Sequence, residues 1–378
     1  MEYIARNPIN GNCVQLLVAE GSVNYMQLVR PSKTNLFFTP GFCDLQVNGG
    51  FGIDLNAKAL TVEQVSRLNQ ELLRNGVTCW CPTIITGEVE LMCHNLETVA
   101  TACREDPLVQ QCVIGIHLEG PFISPIDGAR GAHPREFIQA PDLGLFRRFQ
   151  AAARGRIRLV TLAPELDGAM EMVETLTGQG ILVAVGHSLA NNEQLDSAVQ
   201  AGTELATHLG NGLPAQLDRH QNPFLHMLLM DDLWASVILD GHHLPRDVRE
   251  LLRRTKGVER MVMVSDATRL VGMEPGVYDE PIGGAVELSG NGRLSLAGTA
   301  YLAGAAMTLF EDANAMLRTE EFSLKEIIKM AMVHPRELMS VEQNSIVLLQ
   351  QDPKTKQLKI IMTAIDNQIV YSKEEEDE

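Results

Sequence analysis

At 378 residues and 45% hydrophobic, the chain can bury one large core, or a barrel with a small satellite. A formal charge of −17 without a visible Lys/Arg stripe argues against nucleic-acid binding, so any anionic ligand must meet a local cationic pocket. No run approaches the roughly 20 apolar residues of a membrane helix, and the start MEYIARNPIN shows no basic-then-apolar leader, so neither a membrane nor a secreted location is expected; the cytoplasm is.

In chain order, residues 1–38 hold short strand-like pieces, QLLV the clearest. Eight β-rich runs follow: 36–48, 77–84, 113–120, 157–165, 181–188, 203–211, 234–243 and 260–268. Helical patterns separate them at 61–76, 88–104, 141–153, 168–179, 191–201 and 245–256. In the first, Thr61 and Gln64 form a capping box, Val62, Val65, Leu68 and Leu72 recur at helical spacing, and Gly76 ends the segment.

A glycine-rich connection then leads to helical stretches near 304–318 and 323–333. This rhythm predicts an α/β fold, a (β/α)₈ barrel over 39–341, with 1–38 and 342–372 meeting in a small β-domain and 373–378 as a disordered acidic tail. The seven cysteines, all between Cys13 and Cys112, read as reduced core thiols; Cys79 and Cys81 share one face of a strand.

Active sites of such barrels gather at the C-terminal ends of the strands, and five of these strands end in polar clusters. They are His117-Leu-Glu119, Gly186-His187-Ser188, Thr207-His208-Leu-Gly-Asn211, Asp240-Gly-His-His243 and Ser265-Asp266-Ala-Thr268. Glu119, His187 and His208 offer one carboxylate and two imidazoles, a set suited to one catalytic Zn²⁺ or another divalent ion with a water position open. Strand one carries Gln46-Val-Asn48 where H-x-H would supply ligands to a second ion, so Gln46 and Asn48 read as hydrogen-bonding support. Taken singly, Glu119 reads equally as a loop cap and Asp266 as a helix N-cap; the pattern argues through its members together.

The ordered set PGFCDLQVNGG, GIHLEGPF, RGAHPREF, TLAPE, VGHS, ATHLGNG, DGHH and SDAT resembles the N-acetylglucosamine-6-phosphate deacetylase family of the amidohydrolase superfamily, over roughly residues 40–340. The resemblance implies hydrolysis of an acetamido sugar phosphate to the amine and acetate, with Glu119, His187 and His208 on the metal and Asp266 as acid/base. It assigns substrate contacts to Ala132, His133, Asn211, Gly212, Arg219, His243 and the stretch Leu302, Ala303, Gly304 and Ala305. Arg219 and His243 would meet the phosphate, and the Arg219 loop would cross the interface of a homodimer. His117 is expected deeper in the barrel, while His94, His220, His226, His242 and His334 read as surface or packing residues.

Two other readings compete. Dihydroorotase-like and dipeptidase-like enzymes would normally show H-x-H on strand one and often a lysine on strand four, which here ends Thr161-Leu-Ala-Pro-Glu165. A non-catalytic sugar-phosphate-binding protein would have no need of the full ligand set together with Asp266.

Overall fold

The computed structural model describes residues 1–280, 284–299 and 302–373. Eight parallel strands pair in sequence order: β1 Phe42–Val47, β2 Val77–Ile85, β3 Ile116–Glu119, β4 Ile157–Leu162, β5 Leu182–Val185, β6 Leu205–Ala206, β7 Trp234–Val237 and β8 Met261–Met263. A bridge between Val47 and Ala267 brings the last segment back to the first, so the sheet is a nearly closed barrel. Helices cross between successive strands, as parallel pairing requires.

The sequence explains where the helices start. Thr61 accepts from the Gln64 amide and Gln64 returns the bond to Thr61, opening Val62–Arg74, whose Val65, Leu68 and Leu72 are buried. The same reciprocal cap opens Asn192–Gln200, Leu309–Thr319 and Leu324–Ile328. Two short helices escape periodicity, Pro107–Cys112 and Pro223–Leu229. Their signal is punctuation instead: Asp106 and Asn222 cap them and proline occupies the first turn.

Several expected elements need correction. The run 36–48 is two strands, because Pro40-Gly41 breaks it: Leu36–Thr39 joins a second sheet, while Phe42–Val47 enters the barrel. The 304–318 helix begins only at Leu309, and helix 323–333 passes through a π turn at Lys329–Val333 before His334–Leu338. The glycine-rich connection folds as an antiparallel sheet, Gly276–Glu280, Gly284–Leu288 and Leu294–Leu296, over its own core of Leu270, Val286, Leu288, Leu294 and Ala306. Strands six to eight are also much shorter than their apolar runs, since the chain turns out of the sheet at their polar ends.

The second sheet is a closed barrel of seven strands in which Glu2–Arg6, Cys13–Ala19, Ser22–Val29 and Leu36–Thr39 join Ser345–Gln351, Leu358–Ile365 and Gln368–Ser372. Leu16, Val18, Leu348, Met362 and Ala364 pack inside it. The expected acidic tail falls almost wholly on 374–378, outside the described residues.

Side chains of the (β/α)₈ barrel divide into two layers. Cys43, Leu45, Cys79, Cys81, Leu159, Leu182 and Val262 fill its interior, and Phe42, Trp80, Ile84, Leu118 and Val160 face the helices. All seven cysteines are free thiols. The buried Trp80 indole donates to Asn69 Oδ1 at 2.9 Å, tying β2 to the first helix. Asn69→Ala leaves that donor unpaired and should cost about 1–3 kcal/mol, read from denaturant unfolding.

Candidate functional site

The polar residues predicted at the strand ends meet because the backbone there leaves the extended conformation. His187, His208 and Asp266 have φ of 50°, 31° and 52°, the left-handed region that non-glycine residues avoid. Each turn stops strand pairing and aims the side chain across the mouth of the barrel. Strain of this kind costs on the order of 1–3 kcal/mol per residue and collects at functional sites.

At the centre, Glu119 Oε1 lies 3.1 Å from His208 Nε2 and 3.3 Å from His187 Nε2, and the two Nε2 atoms are 3.1 Å apart. His187 Nδ1 is 2.8 Å from the Ala129 carbonyl, which can only accept, so Nδ1 carries the proton and Nε2 presents a lone pair. His208 Nδ1 is buried without a partner, so without a cation a single proton on His208 Nε2 is all that can stand between it, Glu119 Oε1 and His187 Nε2. Electron-rich atoms therefore converge on one point in a buried wall, an arrangement that calls for a cation. Against the cost of burial, the two imidazoles hold the Glu119 carboxyl well below its usual range.

His133 stands beside this group, its ring centroid 4.4 Å from that of His187. Ligand atoms of Glu119, His133 and His187 all lie within 4.8 Å of one another, so this buried set could hold a metal ion. His133 Nδ1 is engaged by Thr86 Oγ1 at 2.9 Å, and burial, then the charge of His187, pushes its pKa down to about 3.

Strand one supplies bonds rather than charge. Gln46 Nε2 donates to Glu119 Oε1 at 2.9 Å, and Asn48 Nδ2 donates to Asp266 Oδ1 at 2.7 Å. Burial, then the nearby Glu119 carboxylate, raises Asp266 to about 6. His117 lies deeper, its Nε2 2.8 Å from Thr161 Oγ1, which in turn meets Thr207 Oγ1 at 2.8 Å. After β7, Asp240 holds His243 Nδ1 at 2.7 Å and accepts the His242 and His243 amides. Although burial opposes it, the His243 ring holds Asp240 down at about 2, and the carboxylate in turn fixes the ring through Nδ1 and leaves Nε2 free of it.

A cavity of about 350 Å³ opens over these groups, lined by Glu119, His133, His187, His208, Asp266 and His243, with Asn48, Ala132, Asn211, Gly212, Leu302, Ala303 and Gly304 on its walls. Gln46 supports the floor from behind. Two assigned substrate contacts do not reach the cavity within one chain. Ala305 is buried behind the wall, its carbonyl accepting from the Thr268 amide at 2.9 Å, and Arg219 is exposed on the irregular segment 212–222. Of the histidines set aside, His334 is buried with Nδ1 3.0 Å from the Met261 carbonyl, and half-buried His226 pairs with Asp196.

The cavity also includes residues the sequence reading missed: Asp54, Asn56, Ile85, Arg269 and Leu294. Asp54 and Asn56 follow strand one in a short hairpin, where the motif N-G-G-F-G-I-D was a visible turn signal. Leu294 arrives from the antiparallel sheet, which had no counterpart in the sequence reading.

No protein-family model matches the chain. Over 315 residues it is 32% identical to the N-acetylglucosamine-6-phosphate deacetylase of Mus musculus, covering 80% of this chain and 74% of that one. Over 334 residues it is 29% identical to the N-acetylgalactosamine-6-phosphate deacetylase of Escherichia coli O157:H7, covering 87% and 85%. The crystal structure of N-acetyl-D-glucosamine-6-phosphate deacetylase from Mycobacterium smegmatis superposes with a TM-score of 0.81 at 25% identity, over 95% of this chain and 96% of that one.

A cation at the converging lone pairs stabilises the folded chain by mass action. Chelator-treated protein should gain about 2.7 kcal/mol when a divalent ion is restored at a hundredfold excess over its Kd. Glu119→Gln should lose most of that gain, as thermal melts with and without the ion will read.

Proposed function

The chain belongs to the N-acetylglucosamine-6-phosphate deacetylase family of the amidohydrolase superfamily, and from that premise we propose how its own residues carry out the reaction. The enzyme hydrolyses the linear amide of N-acetylglucosamine 6-phosphate, giving glucosamine 6-phosphate and acetate. The observation that carries the mechanism is the meeting of Glu119, His187 and His208 at 3.1–3.3 Å, with Asp266 on the same cavity.

A divalent ion belongs at this group, and we assign Glu119, His187 and His208 as the residues that hold one per chain, Zn²⁺ being suited to a carboxylate with two imidazoles. When bound, such an ion supplies Lewis acidity, making water more acidic and polarising an acyl oxygen. His133 is the rival third ligand; its engagement by Thr86 and its strongly suppressed basicity favour a neutral ring facing the acyl group instead. Gln46 and Asn48 occupy the place of second-ion ligands and act by orienting Glu119 and Asp266.

Asp266 accepts the proton of the attacking water and returns it to the departing amine. The Asn48 amide bonds one carboxylate oxygen and leaves the other for that exchange. Ala132, Asn211, Gly212, Leu302, Ala303 and Gly304 shape the sugar subsite from the cavity wall, and Ala305 backs it. His243, oriented by Asp240, meets the 6-phosphate. Arg219, exposed in a single chain, meets the phosphate in the site of a neighbouring chain in a homodimer.

The terminal sheet, 1–38 and 342–372, is one unit beside the 39–341 barrel, with 373–378 an acidic tail. Among the described residues no helix is long and apolar enough to cross a membrane. With every cysteine a free thiol, we place the enzyme in the cytoplasm.

Asp266→Asn should keep fold and bound ion but lose about 10²–10⁴ in turnover, since an amide cannot take the water's proton. Metal content measured beside acetate release separates this from collapse of the site. Turnover within a few-fold of the parent enzyme would move the base to another residue, with His133 and Glu165 next.

Specificity is read by comparing N-acetylglucosamine 6-phosphate with its galacto epimer and with the unphosphorylated sugar. A charge-assisted phosphate contact contributes on the order of 1.5–3 kcal/mol. Arg219→Ala should therefore lower kcat/KM for the phosphorylated sugar roughly ten- to a hundredfold while hardly changing the unphosphorylated one. Equal losses on both would make Arg219 structural.

A further inference from the structure

The end of the (β/α)₈ barrel opposite the cavity holds nucleophilic groups that the hydrolysis does not use. Cys43 on β1 and Cys79 on β2 are directly opposed in the strand register, and both point into the barrel interior. Adjacent strands lie about 4.8 Å apart, within the roughly 4.4–6.8 Å Cα separation that a disulfide spans. As a thiol, Cys79 donates to Gln343 Oε1 at 3.1 Å, a bond it gives up on ionising.

Beside this pair sits a cation that no carboxylate pairs with among the described residues. Arg336 is 8% exposed, and its Nη2 donates to the Gly41 carbonyl, Thr78 Oγ1 and Ser345 Oγ at 2.8–3.1 Å. Its Nε and Nη1 are buried with no partner, and no ion pair to it occurs among the described residues. A buried guanidinium with spare donors favours an anion beside it. Burial works against ionising Cys79, yet the Cys43 thiol and the Arg336 guanidinium hold its pKa below the ordinary range, while burial pushes Cys43 up. The two thiols are thus inequivalent, Cys79 being the more readily ionised. A cavity of about 310 Å³ opens at this end of the barrel, where Arg336 shares the lining with Pro40, Glu337, Ser340, Val341 and Glu342, and both thiols lie fully buried behind it.

We infer that Cys43 and Cys79, with Arg336 as the activating cation, form a dithiol site oxidised by small neutral peroxides and closed as a disulfide between β1 and β2. The Cys79 thiolate attacks the peroxide O–O bond, and with one proton this gives the Cys79 sulfenic acid and water. The Cys43 thiol then displaces that hydroxyl as a second water, leaving the disulfide; the two thiols give up two electrons and hydrogen peroxide takes them. Closing the bond pulls on the strand that carries Gln46 and leads into Asn48, the residues that hold Glu119 and Asp266. Deacetylation therefore falls on oxidation and returns on reduction, a consequence that rests on the deacetylase reading.

The test is mild hydrogen peroxide treatment of the metal-loaded full chain, followed by peptide mapping under non-reducing conditions and by acetate release before and after dithiothreitol. A Cys43–Cys79 linked peptide is expected, absent in Cys79→Ser. Cys43→Ser should instead trap a dimedone-reactive sulfenate at Cys79. Arg336→Lys should slow linkage about fivefold or more by weakening thiolate stabilisation; should it not fold, the two serine variants decide the matter. Oxidation confined to the partly exposed Cys93, or two free thiols at Cys43 and Cys79 throughout, overturns the site. A complete disulfide with unchanged activity overturns the link to catalysis, and because linkage is read by mass it stands or falls separately from the deacetylase reading.

Discussion

Three lone pairs aimed at one buried point are the constraint around which the rest of this molecule is arranged. Glu119, His187 and His208 come within 3.3 Å of one another in a region where neither water nor a shared proton can satisfy all of them. Holding them there needs backbone in a region that side chains resist, which is why His187, His208 and Asp266 all sit at positive φ. The parallel sheet makes such strain tolerable. The turns at His187 and His208 follow strands paired on both sides, and the turn at Asp266 follows a strand paired on one side and tied back to the first strand by the Val47–Ala267 bridge.

Support for this point comes from uncharged groups, for an electrostatic reason. Inside a low-dielectric wall an added charge perturbs every neighbour, whereas an amide orients without changing net charge. Gln46 and Asn48 each place one N–H on a carboxylate of the site, and Thr86 engages His133 through a hydroxyl. Charge enters at the edge instead, where ionised Asp240 turns His243 toward the cavity. An overall charge of −17 gives a phosphorylated ligand no long-range attraction, so recognition depends on short contacts of this kind.

Strand one links the two ends of the barrel and the second sheet. It begins beyond Pro40-Gly41, where a Cβ on Gly41 would lie 2.1 Å from Thr78 Oγ1, carries Cys43 near its start and Gln46 near its end, and leads into Asn48. Arg336 binds the same junction from the C-terminal half of the chain, through Gly41, Thr78 and Ser345. The seven-stranded sheet, made from both termini, therefore abuts the strand that orients the site.

Alternating apolar runs, capping boxes and polar residues after apolar strands were enough to read the (β/α)₈ architecture from the sequence, because hydrophobic period and helix caps are local properties of the chain. The same logic singled out Glu119, His187, His208 and Asp266: polar groups that end apolar strands have few places to go but the mouth of the barrel. Local signals failed where structure depends on distant partners. Strand 36–48 divides because Leu36–Thr39 finds Ser345–Gln351, more than three hundred residues on, and the antiparallel sheet of 276–296 exists only by packing Leu294 and Val286 on Leu270. Tertiary structure alone decided that Asp54, Asn56 and Arg269 share the cavity, that Arg219 lies outside it in one chain, and that Cys43 faces Cys79. Spacing along a chain specifies which face of an element a side chain occupies; which other face it meets is fixed only when the sheet closes.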